Sequence, residues 1–357
     1  MRNCVLLLIL YFSVPVCAAN INVTFIVPDS KGPLFWQLVS HVGESAARSL
    51  EVDFEVIYSD SHRFASKAVV DEIISREHKP DYLIFFPFLG NTAAVFQELE
   101  SAKIPFITLE QTFTGDIKAK IGNPREKYKY WLGQVNYDNK AGGELLLDAM
   151  IKAHFKKSPE QPMYISGVGG DFDGVSIDRQ SALSKRLNKT SIHNVIVNQI
   201  FPMYWDPTII HQRFPLMVTR YPNTNAYWCA GDQMALEILK EHNAISNSPA
   251  IIGGFDWLPM ALQKVKTGDI AASVGGHFLM VANALVKIVD YDNGVDRFLL
   301  PPLLNQYELI TIDNVAQHLT FLEDELWKKV NFSNYLVSTN NNTQKQLTVE
   351  NLLAEVF

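Results

Sequence analysis

Cysteine is scarce in this chain: three in 357 residues, with Cys4 and Cys17 both inside the first nineteen. If that leader is removed, Cys229 stands alone, so an internal disulfide is excluded and a buried, unreactive thiol in an apolar strand is expected. There is no H-E-x-x-H, no G-x-S-x-G and no cysteine pair at zinc spacing, which removes the usual metalloprotease, nucleophile-elbow and structural-zinc signatures. No catalytic residue, metal or cofactor is expected. A basic patch is also missing: 31 Lys and Arg face 38 Asp and Glu, a net charge of −7, which argues against nucleic acid as a partner. A DNA-reading module would have to precede the first strand, where only the hydrophobic leader lies.

Gly167-Val168-Gly169-Gly170-Asp171-Phe172 follows a strand pattern but lacks the last glycine of a phosphate loop, and Asp171 and Asp173 would repel phosphate. His154 and His242 sit in helical patterns and read as solvated or core histidines.

The leader itself has content. Arg2 precedes the apolar run Cys4 to Phe12, and Cys17-Ala18-Ala19 supplies small residues before Asn20. This is the pattern of a secretory signal peptide over 1–19, too short to span a bilayer. Lipidation at Cys17 is disfavoured by Val16, so a soluble exported protein is expected. Asn-x-Ser/Thr sequons occur at Asn22, Asn188, Asn331 and Asn341.

From Ile21 onward, apolar strands alternate with helical patterns: Ile21–Val27, Phe54–Tyr58, Tyr82–Phe86 and Pro105–Leu109 are strands, each followed by a loop and, for the first three, a helix. Near Trp131–Asn139 the character changes and a second β/α series begins. It holds the strands Met163–Ser166, Asn194–Ile200, Ala226–Cys229, Ala250–Phe255 and Ile270–Val274, with a helix at Ile177–Leu187 among others. A last strand at Tyr307–Ile312 precedes a helix containing Val315, Leu319, Leu322, Leu326 and Val330, a polar stretch Ser338–Gln346 and a short amphipathic helix at Leu347–Phe357. The expected class is α/β: two Rossmann-like doubly wound halves with a cleft between them.

Ligands of open α/β sheets bind beyond the carboxyl ends of the strands. The residues there are Phe35, Trp36, Phe86, Glu110, Gln111, Asp173, Arg179, Trp205, Asp206, Asp232, Asp256 and, after the strand ending at Val274, His277. Aromatic faces with carboxylates suit the apolar C–H faces and hydroxyls of a small neutral sugar or polyol, whereas an anion would call for several Arg or Lys. Bland alternatives accompany these choices. Asp232 and Asp256 could cap the helices that follow them, Arg179 could be a surface ion-pair partner, and Phe35 falls on the buried stripe of its helix. Trp205, in a proline-flanked polar loop, is the hardest to explain as ordinary core.

Together these residues resemble the type 1 periplasmic solute-binding proteins, the sugar-binding family of bacterial ABC importers. The resemblance runs from about residue 21 to 312. It is carried by Gly32-Pro33-Leu34-Phe35-Trp36, Ile104-Pro105-Phe106-Ile107-Thr108-Leu109-Glu110-Gln111, Asp138-Asn139-Lys140-Ala141-Gly142, Trp205-Asp206, Gly231-Asp232-Gln233-Met234-Ala235 and Gly254-Phe255-Asp256. It implies two lobes joined by three hinge strands: an N-terminal lobe of 20–136 and 277–301, a C-terminal lobe of 137–276 and 302–330, and a tail of 331–357. It further implies a monomeric periplasmic receptor that closes on a monosaccharide and serves a membrane permease or, alternatively, reports a sugar or small diol to a sensor protein. Phe35 or Trp36 would stack on one sugar face and Trp205 on the other, with Arg179, Asp232 and Asp256 from the C-terminal lobe. Glu110 and Gln111 stand where the family usually has Asp and Arg, and Gly231 where Asn is common.

Overall fold

The computed structural model describes residues 21–30, 32, 34–60, 63–187, 194–298, 304–339 and 345–357. The expected signal peptide, the sequons at Asn188 and Asn341 and the expected lobe boundary at 301/302 lie outside these. The first sheet contains β1 (Asn22–Val27), β2 (Asp53–Tyr58), β3 (Tyr82–Phe85), β4 (Phe106–Leu109) and β5 (Trp131–Val135), all parallel in the order β2-β1-β3-β4-β5. Its helices are α1 (Leu34–Ser49), α2 (Arg63–Ser75), α3 (Thr92–Ala102) and α4 (Gly115–Ile121). The Trp131–Val135 segment, where the sequence changes character and no strand was expected, is the fifth strand of the first sheet. Trp131 is fully buried there, its indole N–H shared between Thr108 Oγ1 at 3.2 Å and the Gly133 carbonyl at 3.1 Å.

The chain then crosses over through α5 (Asn139–Lys157), which the Asp138 carboxylate caps at the Ala141 N–H, 3.0 Å away. The second sheet follows: β6 (Met163–Gly169), α6 (Gly174–Arg179), α7 (Ser181–Leu187), β7 (Val195–Pro202), α8 (Pro207–Arg220), β8 (Ala226–Cys229), α9 (Asp232–Ile245), β9 (Ile251–Phe255), α10 (Pro259–Thr267) and β10 (Ala272–Gly275). After β10 the chain returns to the first sheet as α11 (Met280–Asp292), which packs on α1. It returns once more to add β11 (Glu308–Ile310) antiparallel to β10, giving the order β11-β10-β9-β8-β6-β7. Among the described residues up to β11, the chain thus passes between the sheets near residues 136–139, 276–279 and 304–307.

The helix expected over Ile177–Leu187 is two helices broken at Gln180. Just before the break α5 presses against the chain: a β-carbon at Gly143 would sit 1.8 Å from the Arg179 carbonyl oxygen. Two helices can approach so closely only where one lacks a side chain. Cys229 is buried with its thiol pushed up by burial, and His154 and His242 are core residues whose Nε2 atoms lie 2.9 and 2.8 Å from the carbonyls of Gln161 and Ser248.

Beyond β11, the expected single helix to Val330 is α12 (Val315–Glu323) followed by 3₁₀ turns at Leu326–Lys329 and Phe332–Tyr335, and the chain ends in α13 (Val349–Val356). The α12 helix packs on α10 of the second sheet, while both 3₁₀ turns pack on α1 of the first. The Ser49 hydroxyl accepts from the Phe332 N–H at 2.8 Å, and the buried Asp290 carboxylate accepts from the N–H groups of Val337 and Ser338 at 2.9 and 2.8 Å. No helix among the described residues is long and apolar enough to cross a membrane.

Candidate ligand-binding site

The carboxyl ends of the two sheets face each other, and the sequence-predicted residues gather along that seam in three groups. The first is an aromatic wall on the first sheet's side. Phe35 and Trp36 open α1 and Phe86 follows β3. Trp36 stands edge-on to Phe35 at 5.3 Å and to Phe86 at 6.3 Å between ring centroids. Phe35 is buried and stacks on the His277 imidazole at 4.5 Å, so it joins the wall to the crossing after β10.

The second group is Trp205 and its mount. Tyr204 and Trp205 both have positive φ, 54° and 61°, a conformation costly for large side chains. The indole N–H donates to Asp173 Oδ2 at 2.8 Å, while Asp173 Oδ1 caps α6 through the Ser176 N–H at 2.7 Å. The ring lies flat on Gly170, where a β-carbon would come within 2.2 Å of the ring carbons Cε2 and Cζ2. Even so, Trp205 is 36% exposed. A large aromatic held this firmly and left this open is set to meet something in the seam.

The third group is a buried polar cluster around Arg179, the last residue of α6. Its Nε donates to Asn139 Oδ1 at 2.9 Å, Nη1 to the Ala230 carbonyl at 3.0 Å, and Nη2 to Glu110 Oε1 at 2.8 Å and the Tyr307 hydroxyl at 3.0 Å. Asp256 Oδ1 lies 3.5 Å from Nη1 and 3.3 Å from His277 Nε2, and that nitrogen is 3.1 Å from Nη2. Burial disfavours the charge on Arg179, but Tyr307, Glu110 and Asp256 outweigh it and hold the guanidinium charged. Burial pushes His277 down to about 3, against the pull of Glu110, so the imidazole is neutral; its Nδ1 has no partner among the described residues. Burial also lifts the Asp256 carboxyl to about 7, opposed by Arg179.

The three groups touch. Trp36 leads through Phe35 and His277 to Asp256. Around Gly231, a β-carbon would meet Asp256 Oδ2 at 3.2 Å and Trp205 Cζ3 at 3.8 Å. The absence of a side chain at Gly231 is what leaves room between the indole and the carboxylate.

Three predicted residues stand apart from this surface. Asp206 spends Oδ1 on the Thr208 N–H and hydroxyl at 2.8 and 2.7 Å, as the cap of α8. Asp232 is fully buried behind Asp256. It does not cap α9 with its side chain; it accepts from the Ser273 hydroxyl at 2.9 Å and the Leu258 N–H at 2.9 Å. Burial and the neighbouring Asp256 raise its carboxyl well above the usual range. Gln111 bridges the sheets, donating to the Pro87 carbonyl at 3.2 Å and accepting from the Gly174 N–H at 3.0 Å. The surface-ion-pair alternative for Arg179 is excluded by its 2% exposure. Sequence reasoning did not single out Asn139 or Tyr307 as functional. A polar residue opening a helix and a tyrosine opening a strand are ordinary in sequence, and only the fold brings them together.

The chain matches a family model described as a periplasmic binding protein domain over residues 23–291. It is 25% identical over 244 residues to the D-allose-binding periplasmic protein of Escherichia coli (strain K12), covering 67% of this chain and 74% of that one. Among solved structures, a periplasmic sugar-binding protein from Pseudomonas fluorescens superposes with a TM-score of 0.81 at 21% identity, over 93% of this chain and 99% of that one. The Caulobacter myo-inositol binding protein, bound to myo-inositol, does so with a TM-score of 0.69 at 18% identity, over 84% and 96%. With the family model spanning most of the chain and the two-sheet fold shared, the chain belongs to the periplasmic binding protein family.

Proposed function

We propose that this chain is an exported receptor that closes around a small neutral sugar or polyol and delivers it to an ABC-type permease, binding its ligand without chemical change. The ligand lies between the Trp36–Phe86 wall and the Trp205 indole, with a hydroxyl donating to Asp256. What carries the reading is Trp205: an open aromatic face fixed by Asp173 and Gly170, 3.8 Å from the space that Gly231 leaves empty beside Asp256. A sugar ring offers C–H faces to such a plate and hydroxyls to such a carboxylate. Relatives named for D-allose and myo-inositol binding agree with this class.

The test is a thermal-shift panel of pentoses, hexoses and cyclitols. A ligand that binds only the folded state raises the melting point, by about 2.7 kcal/mol of stability at a hundred times Kd. Trp205→Ala is expected to weaken the responding ligand about 100-fold while keeping the unliganded melting point within a few degrees. If only anionic compounds shift the melting point, or if Trp205→Ala binds as tightly as the parent, the reading is wrong.

A further inference from the structure

The Arg179 cluster has a property that ligand binding does not account for. The guanidinium has five N–H donors, and six protein atoms able to accept surround it: Asn139 Oδ1, the Ala230 carbonyl, Asp256 Oδ1, Glu110 Oε1, the Tyr307 hydroxyl and His277 Nε2. A ligand hydroxyl could reach Arg179 only by displacing one of them. The sources of these groups matter equally. Asn139 ends the first passage between the sheets, His277 lies in the second and Tyr307 ends the third. Glu110 directly follows β4 of the first sheet, and Arg179 hangs from α6 of the second. Tyr307 ties the set together, its hydroxyl 2.7 Å from Asn139 Oδ1 and 2.9 Å from Glu110 Oε1. The guanidinium also stands 4.7 Å over the Phe255 ring, and Gly143 lets the Arg179 backbone press against α5.

We propose that Arg179, Glu110, Asn139, His277 and Tyr307 form a clasp across the three passages that sets the population of the closed form, and that Arg179 is a positioning residue and does not read ligand hydroxyls. This rests on the reading above that the two lobes close on a ligand. Opening the seam pulls Glu110, on the first sheet, away from Arg179, on the second, and parts a buried charge-assisted hydrogen bond. When closure precedes tight binding, apparent affinity scales with the closed fraction. A weakened clasp therefore weakens every ligand by one common factor. A change in a hydroxyl-reading residue alters the order of preference among epimers.

The experiment compares the parent, Glu110→Gln and Tyr307→Phe by calorimetry and stopped-flow dissociation with D-allose, D-glucose, D-ribose and myo-inositol, and by X-ray scattering without ligand. Glu110→Gln keeps the acceptor oxygen and removes the charge, which costs about tenfold in closure. The expected result is a uniform rise in Kd of about tenfold for each compound that binds, carried by faster dissociation, with the ratios among compounds unchanged within about twofold. A reordering of the four compounds assigns Glu110 and Arg179 to hydroxyl reading and overturns the clasp, as does an unchanged Kd. Should none of the four bind the parent, the sugar reading fails while the clasp is still judged by scattering. A larger radius of gyration for Glu110→Gln than for the parent supports it, and equal radii reject it. Tyr307→Phe, which keeps the ring and removes the bridging hydroxyl, gives the same comparison if Glu110→Gln does not fold.

Discussion

Two stretches of this chain look alike and end differently. After β8 the sequence reads Ala230-Gly231-Asp232 into a helix; β9 ends in Gly254-Phe255 and runs into Asp256, with a helix soon after. Asp232 takes up helical backbone at once, and its side chain turns inward to Ser273 and the Leu258 N–H. Asp256 and Trp257 instead take positive φ, 106° and 62°, and α10 does not begin until Pro259. That two-residue detour carries the Asp256 carboxylate out to Arg179, His277 and the seam. A carboxylate's role is thus set by the backbone that delivers it. The inner one fastens three elements and the outer one faces the seam beside Arg179 and His277.

The contrast predicts effects of decreasing size. The largest belongs to Asp232→Ala, which strands the Ser273 hydroxyl and the Leu258 N–H in a dry interior. Each unmade buried bond costs roughly 1–3 kcal/mol, so denaturant melts should show a loss of several kcal/mol. A variant as stable as the parent would show that Asp232 fastens nothing.

Asp256→Asn comes next and separates binding from stability: affinity for the responding sugar falls about tenfold or more, as expected for a charge-assisted bond replaced by a neutral one, while the melting point hardly moves. The pH profile sharpens this. The Asp256 carboxyl is raised to about 7, and a hydroxyl donating to it favours its ionised form, so binding expels a proton. Affinity should rise with pH toward 7, by at most about tenfold per unit, and level off above. Asp256→Asn should flatten that profile; a flat profile in the parent would place the ligand elsewhere. For the unliganded protein, a raised Asp256 makes stability fall as pH climbs from about 4 to 7. His277, held down to about 3, makes it rise over about 3 to 6.5. These slopes oppose from about 4 to 6.5, and Asp232, also raised by burial and by Asp256, tips the balance so that the melting point should fall as pH climbs.

The smallest effect falls to Asp206→Ala, a third aspartate in similar surroundings, whose carboxylate only caps α8. About 1 kcal/mol of stability should go, with ligand affinity untouched in the same calorimetric assay.

The two-layer β/α alternation was legible in sequence because strand and helix periods are local and each loop announces itself with Gly, Pro or Asp. Trp131–Val135 was not: Gly133 and Gln134 break its apolar run, and Gly133 is there because a β-carbon would meet Phe298 at 2.6 Å, a neighbour far along the chain. The break at Gln180 was hidden too: Ile177–Leu187 is apolar and charged at helical spacing, and the close packing of Arg179 on Gly143 of α5 is a contact between distant parts of the chain. Trp205 stood out because a large aromatic in a polar loop contradicts its surroundings. Asn139 and Tyr307, 168 residues apart, contradict nothing locally, and their joint grip on Arg179 exists only once the fold has closed around it.

The C-terminal segment adds a mechanical constraint. It is anchored to α10 of one body and to α1 and α11 of the other, then returns so that Val349 at the start of α13 lies 3.6 Å from a β-carbon position on Gly276, with its own and the Glu350 N–H turned to the Glu308 carboxylate. A strap tied to both bodies resists any separation that stretches it. If the lobes part as the proposed closure requires, the mouth is expected to open on the side away from this edge, as a book opens from its spine.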